Sequence, residues 1–93
     1  MAINVVVVTK AAEKELRKVP MHVRLNFFAW LAAVSEQGLE AVRRVPGFHD
    51  EPLSGNRFGQ RSIRLSKSYR AFYKIEGATA KLVRVLEINK HEY

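Results

Sequence analysis

Three strand-like runs lie in the stretch RSIRLSKSYRAFYKIEGATAKLVRVLEI, residues 61–88. They cover residues 61–65, 69–75 and 80–88, and they are rich in the β-branched and aromatic residues that favour strands. Lys67-Ser68 is short enough for a tight turn, and Glu76-Gly77-Ala78 carries the glycine that a hairpin turn favours. The stretch therefore predicts a three-stranded antiparallel meander.

The chain before this meander predicts one more strand and two helices. Residues 3–8 are mostly β-branched and predict a buried strand, after which Thr9 offers a hydroxyl for a helix N-cap. A first helix is expected over residues 10–19. Because proline is accepted in the first turn of a helix, a second helix can begin at Pro20, and Gly38 is a natural end for it.

The connection between the helices and the meander is predicted to be mainly loop. Residues 39–56 contain Pro46-Gly47, Pro52 and Ser54-Gly55, although residues 39–44 could form a turn of helix. Together these elements predict a single domain over residues 1–93, of the α+β class, in the order β-α-α-β-β-β. Its two N-terminal helices pack on one face of a small four-stranded, mainly antiparallel sheet, and the other face stays open.

Successive strand residues point to opposite sides, which divides the meander side chains between the two faces. Arg70, Phe72 and Lys74 share one side of their strand. The opposite side carries Tyr69, Ala71, Tyr73 and Ile75. On the preceding strand, Ser62 and Arg64 can join Arg70 on the helix-free face. The sequence thus predicts a polar and cationic open face.

The positive charge of the chain is concentrated in its C-terminal part. The formal net charge is +7, and residues 57–93 hold nine Lys and Arg against three Glu, whereas residues 1–56 hold seven against six acidic residues. Aromatic residues, including Phe72 and Tyr93, are interspersed among these cations. Cations neutralise phosphates and flat rings stack on bases, so the pattern favours nucleic acid, and RNA before DNA, as the partner.

Several other classes of function are disfavoured. With no Cys there is no disulfide or Cys-ligated metal site, which is compatible with a cytoplasmic protein. His22, His49 and His91 are far apart without metal-ligand spacing, and no dinucleotide or P-loop motif occurs. We therefore expect no cofactor and no metal. No signal peptide or membrane-spanning run is apparent, so no membrane association is expected.

Individual cations on the open face could simply be solvated surface, but one of them stands out. Arg70 lies in the middle of its strand between aromatic residues, where its guanidinium can be held rigidly enough to grip a phosphate. His91 follows the last strand, and histidine can exchange protons near neutral pH. A frayed polar terminus is the alternative for this tail.

Several short motifs resemble one known family when taken together. They are Leu53-Ser54-Gly55, Arg61-Ser62-Ile63-Arg64-Leu65, Tyr69-Arg70-Ala71-Phe72-Tyr73 and the terminal run VLEINKHEY, residues 85–93. In this order, and over essentially the whole chain, they resemble the RelE/ParE superfamily of bacterial toxins, and specifically the RelE/HigB type of mRNA interferase.

The resemblance implies a toxin of a type II toxin–antitoxin system. Such a toxin is a metal-independent endoribonuclease that cuts mRNA, usually in the ribosomal A site beside rRNA, and is held inactive by a cognate antitoxin. The implied catalytic residues are Arg70, Lys90, His91 and Tyr93, and Glu51 resembles the glutamate base of the YoeB branch. Arg61 and Arg64 fall where the preceding strand of the family carries basic residues. From the charge pattern itself, Arg61, Arg64, Lys74 and Arg84 are expected to line the cationic face with Arg70, and Arg57 and Lys67 are expected to bind RNA beside them.

Two other functions remain open from the sequence. ParE-type members share the fold and the Tyr-Arg pair but poison DNA gyrase without catalysis, usually without the Lys, His and Tyr tail. An inactive nucleic-acid-binding domain of the same fold is the third hypothesis. The tail of residues 89–93 favours the ribonuclease.

Overall fold

A computed structural model describes residues 2–90 of the 93-residue chain; Met1 and residues 91–93 lie outside the described part. The strands are β1 (Val6–Val8), β2 (Glu51–Pro52), β3 (Arg61–Arg64), β4 (Tyr69–Glu76) and β5 (Leu82–Lys90). The helices are α1 (Lys10–Leu16), α2 (Met21–Gln37) and the short α3 (Leu39–Val42). Two single turns of 3-10 helix, Pro46–Phe48 and Gly55–Arg57, flank β2.

The strands form one sheet in the order β1-β5-β4-β3-β2. β1 runs parallel to β5, and every other neighbouring pair is antiparallel. The predicted α+β class, the meander and the helices on one face are confirmed, but the sheet has five strands rather than four. The additional strand β2 lies in the predicted loop, where two residues that include a proline give no recognisable strand pattern.

The core lies between α2 and the inner face of the sheet. Val23, Phe27, Trp30 and Val34 are fully buried, at the spacing that places them on one stripe of α2. Trp30 packs against Tyr73 of β4, with ring centroids 5.5 Å apart. As predicted, Thr9 caps α1, because its hydroxyl accepts a hydrogen bond of 3.2 Å from the backbone nitrogen of Ala12. These contacts leave the outer face of the sheet uncovered by helices.

β4 and β5 pair with one irregularity. Tyr73 is opposite Val85, whereas Phe72 is opposite Glu87, so Leu86 is an extra residue in β5. Such a β-bulge shifts the alternation of side chains by one position. From Glu87 onwards, odd-numbered residues of β5 therefore face outwards and even-numbered residues face the helices. Consistent with this, Val85 and Ile88 are both buried.

No helix within residues 2–90 combines the length and the apolar character that crossing a membrane requires.

Candidate active site on the open sheet face

The strand register brings a set of polar residues together on the open face. Ser62 pairs with Phe72 and Arg64 with Arg70, so the predicted common face of these four residues is confirmed. Glu51 of β2 pairs with Ser62 and therefore joins the same face. On the other side of β4, Arg70 is opposite Asn89. Arg70 is thus at the centre of the face, with neighbours on both adjacent strands.

Arg70 is held between a carboxylate and a hydroxyl. Its Nη1 donates to Glu51 Oε1 at 3.1 Å and to Ser62 Oγ at 3.3 Å. The Arg70 side chain is only 17% exposed, whereas the Glu51 side chain is 55% exposed. An ion pair with one partner so open to solvent is worth little free energy, so a competing anion can displace Glu51 from the guanidinium. The arrangement therefore offers a fixed cation beside a carboxylate that can move.

A second cluster adjoins this pair and is built around Phe72. The guanidinium carbon of Arg57 lies 4.2 Å from the centre of the Phe72 ring, within cation–π distance. Arg57 also donates to Gln60 Oε1 at 2.8 Å and forms a salt bridge with Glu87. A guanidinium plane on an aromatic ring leaves its outer surface free to stack on a nucleobase.

The remaining cations of the open face differ in how they are neutralised. Arg84 Nε lies 2.5 Å from Glu76 Oε1, and Lys74 Nζ lies 3.8 Å from Glu76 Oε2. The hydrogen bond from Arg84 holds the pKa of Glu76 below its ordinary value; burial opposes this shift, and the charges of Arg84 and Lys74 add to it. Arg64 forms no salt bridge with any residue in the range 2–90. The face is therefore less cationic than its arginine content predicts.

Arg61 does not line this face, which corrects the sequence prediction. It pairs with Tyr73, whose ring is in the core, so Arg61 lies on the helix side of β3. Its Nε donates to Asp50 Oδ1 at 2.6 Å, and the Tyr73 hydroxyl donates to Asp50 Oδ2 at 2.5 Å. The Asp50 side chain is only 1% exposed. Asp50 lies in the segment predicted to be mainly loop, yet its side chain is buried and accepts two hydrogen bonds.

The Asp50 contacts change the proton affinities of both partners. Burial lowers the pKa of Arg61, but the hydrogen bond and charge of Asp50, with a smaller contribution from Tyr73, outweigh it and raise that pKa overall. Burial and the hydrogen bond to Asp50 raise the pKa of Tyr73 far above its ordinary value of 10.0. Arg61 thus stays charged and Tyr73 neutral throughout the physiological range.

Asp50→Ala is expected to destabilise the fold, because it leaves the Arg61 guanidinium and the Tyr73 hydroxyl without their acceptor. Breaking a buried pair of this kind costs about 3 kcal/mol, measured as the free energy of unfolding in urea. Glu40→Ala is the matched control, since Glu40 pairs only with Arg43 on the surface and its loss should cost about 1 kcal/mol or less. Equal losses in the two variants would contradict a structural role for Asp50.

The raised pKa of Tyr73 predicts a loss of stability in alkali. Because the fold favours the neutral phenol, this contribution is complete below pH 10.0 and is lost as the pH rises above that value. Between pH 10 and 11.5 the free energy of unfolding should fall more steeply for the native chain than for Tyr73→Phe, by about 1.4 kcal/mol per pH unit at most. If the free energy of unfolding falls with pH in parallel for the two proteins, the pKa of Tyr73 is the same in the folded and unfolded states.

Of the predicted tail residues, the structure describes Lys90, and it does not bring Lys90 together with Arg70. Lys90 pairs with Tyr69, and after the bulge in β5 it faces the helix side, opposite to Arg70. Asn89 occupies the position beside Arg70 instead. His91 and Tyr93 lie outside the described residues, so their predicted roles remain predictions. Lys67 lies in the turn between β3 and β4.

Within residues 2–90, no group of three or more His, Asp or Glu side chains is arranged to hold a metal ion.

The chain resembles solved toxin structures along nearly its whole length. An arginine-to-alanine double mutant of the E. coli toxin RelE in the free state is 27% identical, with a TM-score of 0.66, covering 97% of this chain and 84% of that one. The toxin–antitoxin complex RelBE2 from Mycobacterium tuberculosis also matches at 27% identity, with a TM-score of 0.56, covering 96% of this chain and 99% of the other. In its fold the chain is similar to toxins of the RelE/ParE superfamily. A YoeB/ParE toxin from Agrobacterium tumefaciens shares the fold at 17% identity, with a TM-score of 0.69 and coverage of 95% and 99%.

Sequence comparison alone adds nothing to this assignment. No protein-family model matches the chain, and no curated protein sequence matches it significantly. The family resemblance predicted from short motifs is therefore confirmed by the three-dimensional fold. Glu87, which pairs with Arg57 above the Phe72 ring, was not among the residues predicted from the sequence. The change in β5 from burial of Val83 and Val85 to burial of Ile88 is the structural mark of the bulge.

Proposed function

We propose that the protein is a toxin of a type II toxin–antitoxin system that cleaves mRNA as an endoribonuclease, without a metal ion. The observation that carries the proposal is the contact of Arg70 with Glu51 and Ser62 on the open face. A rigid guanidinium beside a mobile carboxylate is what transfer at a phosphate requires, because one group stabilises charge while the other takes a proton.

The proposed reaction begins when a backbone phosphate binds to Arg70 and displaces Glu51. The freed carboxylate of Glu51 takes the proton of the adjacent 2′-hydroxyl, whose oxygen forms a new bond to phosphorus. The bond from phosphorus to the leaving 5′-oxygen breaks, and an acid protonates that oxygen. The products are a 2′,3′-cyclic phosphate and a 5′-hydroxyl end, and Arg70 compensates the extra negative charge that develops on the phosphate.

We assign the acid to His91 on the family resemblance. In sequence, His91 is two residues after Asn89, the β5 neighbour of Arg70. Tyr93 remains a proposed stacking residue from the same resemblance. Beside them, the exposed surface of the Arg57 guanidinium above Phe72 suits a base that flanks the cleaved bond. Lys74, Arg84 and Arg64 are proposed to attract the RNA backbone.

The proposed partners follow the same family. The solved RelBE2 structure is a toxin–antitoxin complex, which supports a cognate antitoxin for this chain. We propose the ribosomal A site as the place where mRNA is presented, and the cytoplasm as the location. Ion pairing of the open face by Glu51, Glu76 and Glu87 leaves limited charge for binding free RNA, which favours dependence on the ribosome.

A translation extract tests the proposal against its rival. The protein is added to extract programmed with one mRNA, and new mRNA ends are mapped with and without ribosomes. New ends bearing 2′,3′-cyclic phosphate support the nuclease. Intact mRNA together with blocked supercoiling by purified DNA gyrase would instead support a ParE-like inhibitor, and an effect on neither would indicate an inactive nucleic-acid-binding domain.

A further inference from the structure

An open cavity of about 340 Å³ lies on the helix side of the sheet, away from Arg70. It is formed where the turn between β3 and β4 and the end of β5 meet the start of α2. Most of the lining side chains can donate a hydrogen bond; these are His22, Ser66, Lys67, Ser68, Tyr69 and Lys90. Two lysines from separate parts of the chain therefore converge on one concave surface.

Within residues 2–90, the charge of this cavity is uncompensated, in contrast to that of the open face. No Asp or Glu is among its lining residues, and neither Lys67 nor Lys90 forms a salt bridge within residues 2–90. On the open face, by comparison, Arg57, Arg70 and Arg84 each contact a carboxylate. Two lysines that line one cavity, with no carboxylate among its described lining residues, are suited to an anionic ligand.

The turn also presents hydroxyl donors to the same space. The Ser66 Oγ accepts hydrogen bonds of 3.2 Å from the backbone nitrogens of Ser68 and Tyr69, so its own hydroxyl hydrogen remains to be donated elsewhere. The same two hydrogen bonds fix the backbone of the turn that contains Lys67. The cavity thus combines a preformed turn, hydroxyl donors and two flexible cations.

We propose that this cavity binds a phosphate of an RNA backbone. The inference rests on the proposed function, because it names a second contact for the RNA that the active site cleaves. A neighbouring cavity of about 370 Å³ connects the two regions, since it is lined by both Arg64, the β3 neighbour of Arg70, and Lys67. Cations therefore continue around the β3–β4 turn from the open face to the cavity, and Lys90 acts in binding rather than at the cleaved bond.

Binding without cleavage tests this proposal. A single-stranded RNA with 2′-O-methyl groups at every position has no 2′-hydroxyl nucleophile, so affinity can be measured apart from turnover. The double variant Lys67→Gln, Lys90→Gln should bind about tenfold more weakly at low salt, and the slope of log affinity against log salt should fall by roughly 1.4, or about 0.7 for each lost contact. His22→Gln should weaken binding less.

Lys81→Gln, Lys10→Gln is the matched control. Lys81 and Lys10 are both exposed and lie outside both cavities, and their replacement removes the same two positive charges. If the control lowers affinity and salt slope as much as Lys67→Gln, Lys90→Gln does, the effect is one of net charge and the proposal is overturned. Unchanged thermal unfolding of both double variants establishes that the comparison is between folded proteins.

A second arm identifies the source of the phosphate. Weaker binding of the oligonucleotide would indicate a phosphate of the mRNA strand, whereas weaker co-sedimentation with empty ribosomes alone would indicate a phosphate of rRNA; either result supports the cavity. No difference from the control in both arms overturns it. Cleavage of mRNA is measured separately. If the native protein cleaves mRNA but the double variant binds as well as its control, only the proposed phosphate site is rejected. If the double variant binds more weakly but the native protein cleaves no mRNA, only the proposed nuclease activity is rejected.

Discussion

Arg70→Ala lowers the rate of mRNA cleavage by about 10²–10³ under single-turnover conditions, if the proposed reaction is correct. The loss is expected because the guanidinium is the only group within residues 2–90 that contacts both Glu51 and Ser62, and no other cation is fixed at that point. Arg70→Lys should recover only part of the rate, since an ammonium keeps the charge but lacks the planar fork of donors.

The matched control for this experiment is Arg44→Ala. Arg44 is exposed after α3, on a different part of the chain, and the substitution removes the same charge. Native cleavage by Arg44→Ala together with loss in Arg70→Ala assigns the effect to the site. If Arg70→Ala cleaves ribosome-bound mRNA at the native rate, Arg70 does not stabilise the phosphate, and the open face has another role.

Glu51→Gln is expected to reduce cleavage by about 10²–10⁴, because the amide keeps the size of the side chain but cannot accept a proton. The effect should appear in the cleavage step and not in binding. Affinity for the 2′-O-methyl RNA should stay at or above the native value, since the substitution removes a negative charge that competes with phosphate for Arg70.

Glu36→Gln serves as the control, because Glu36 is exposed on α2 and far in sequence from the site. Its cleavage rate should match that of the native protein. A Glu51→Gln variant that cleaves normally would exclude Glu51 as the base and leave His91 as the candidate for that role. A variant that loses binding and cleavage together would instead point to a structural effect of Glu51.

The central part of the open face could be predicted from the sequence because simple alternation governs it. Arg70, Phe72 and Ser62 lie in regular stretches of β4 and β3, where each residue faces away from its neighbour. The same alternation puts Arg61 on the helix side. Arg61 was nevertheless predicted on the open face, because a charged side chain is rarely buried. Burial of Arg61 is tolerable only because Asp50 neutralises it, and no local pattern reveals a partner eleven residues away.

The end of β5 was less predictable for a different physical reason. Plain alternation from Arg84 puts Lys90 on the open face, but one inserted residue at Leu86 reverses the outcome. A bulge depends on how two paired strands pack against the core, and the sequence of one strand alone does not determine this. The position of Glu51 was equally hidden, because it depends on a two-residue strand inside an apparent loop.

The buried anchor at Asp50 has a consequence for how much the preceding segment can vary. Glu51, the proposed base, follows Asp50 directly in the chain. The buried contacts of Asp50 therefore fix the backbone next to Glu51. Substitutions at the exposed residues 44–47 should then leave the carboxylate in place, because Asp50 is held independently of them, whereas Phe48 packs against the core. If the proposed reaction is correct, this exposed segment can adapt to a different antitoxin without altering catalysis.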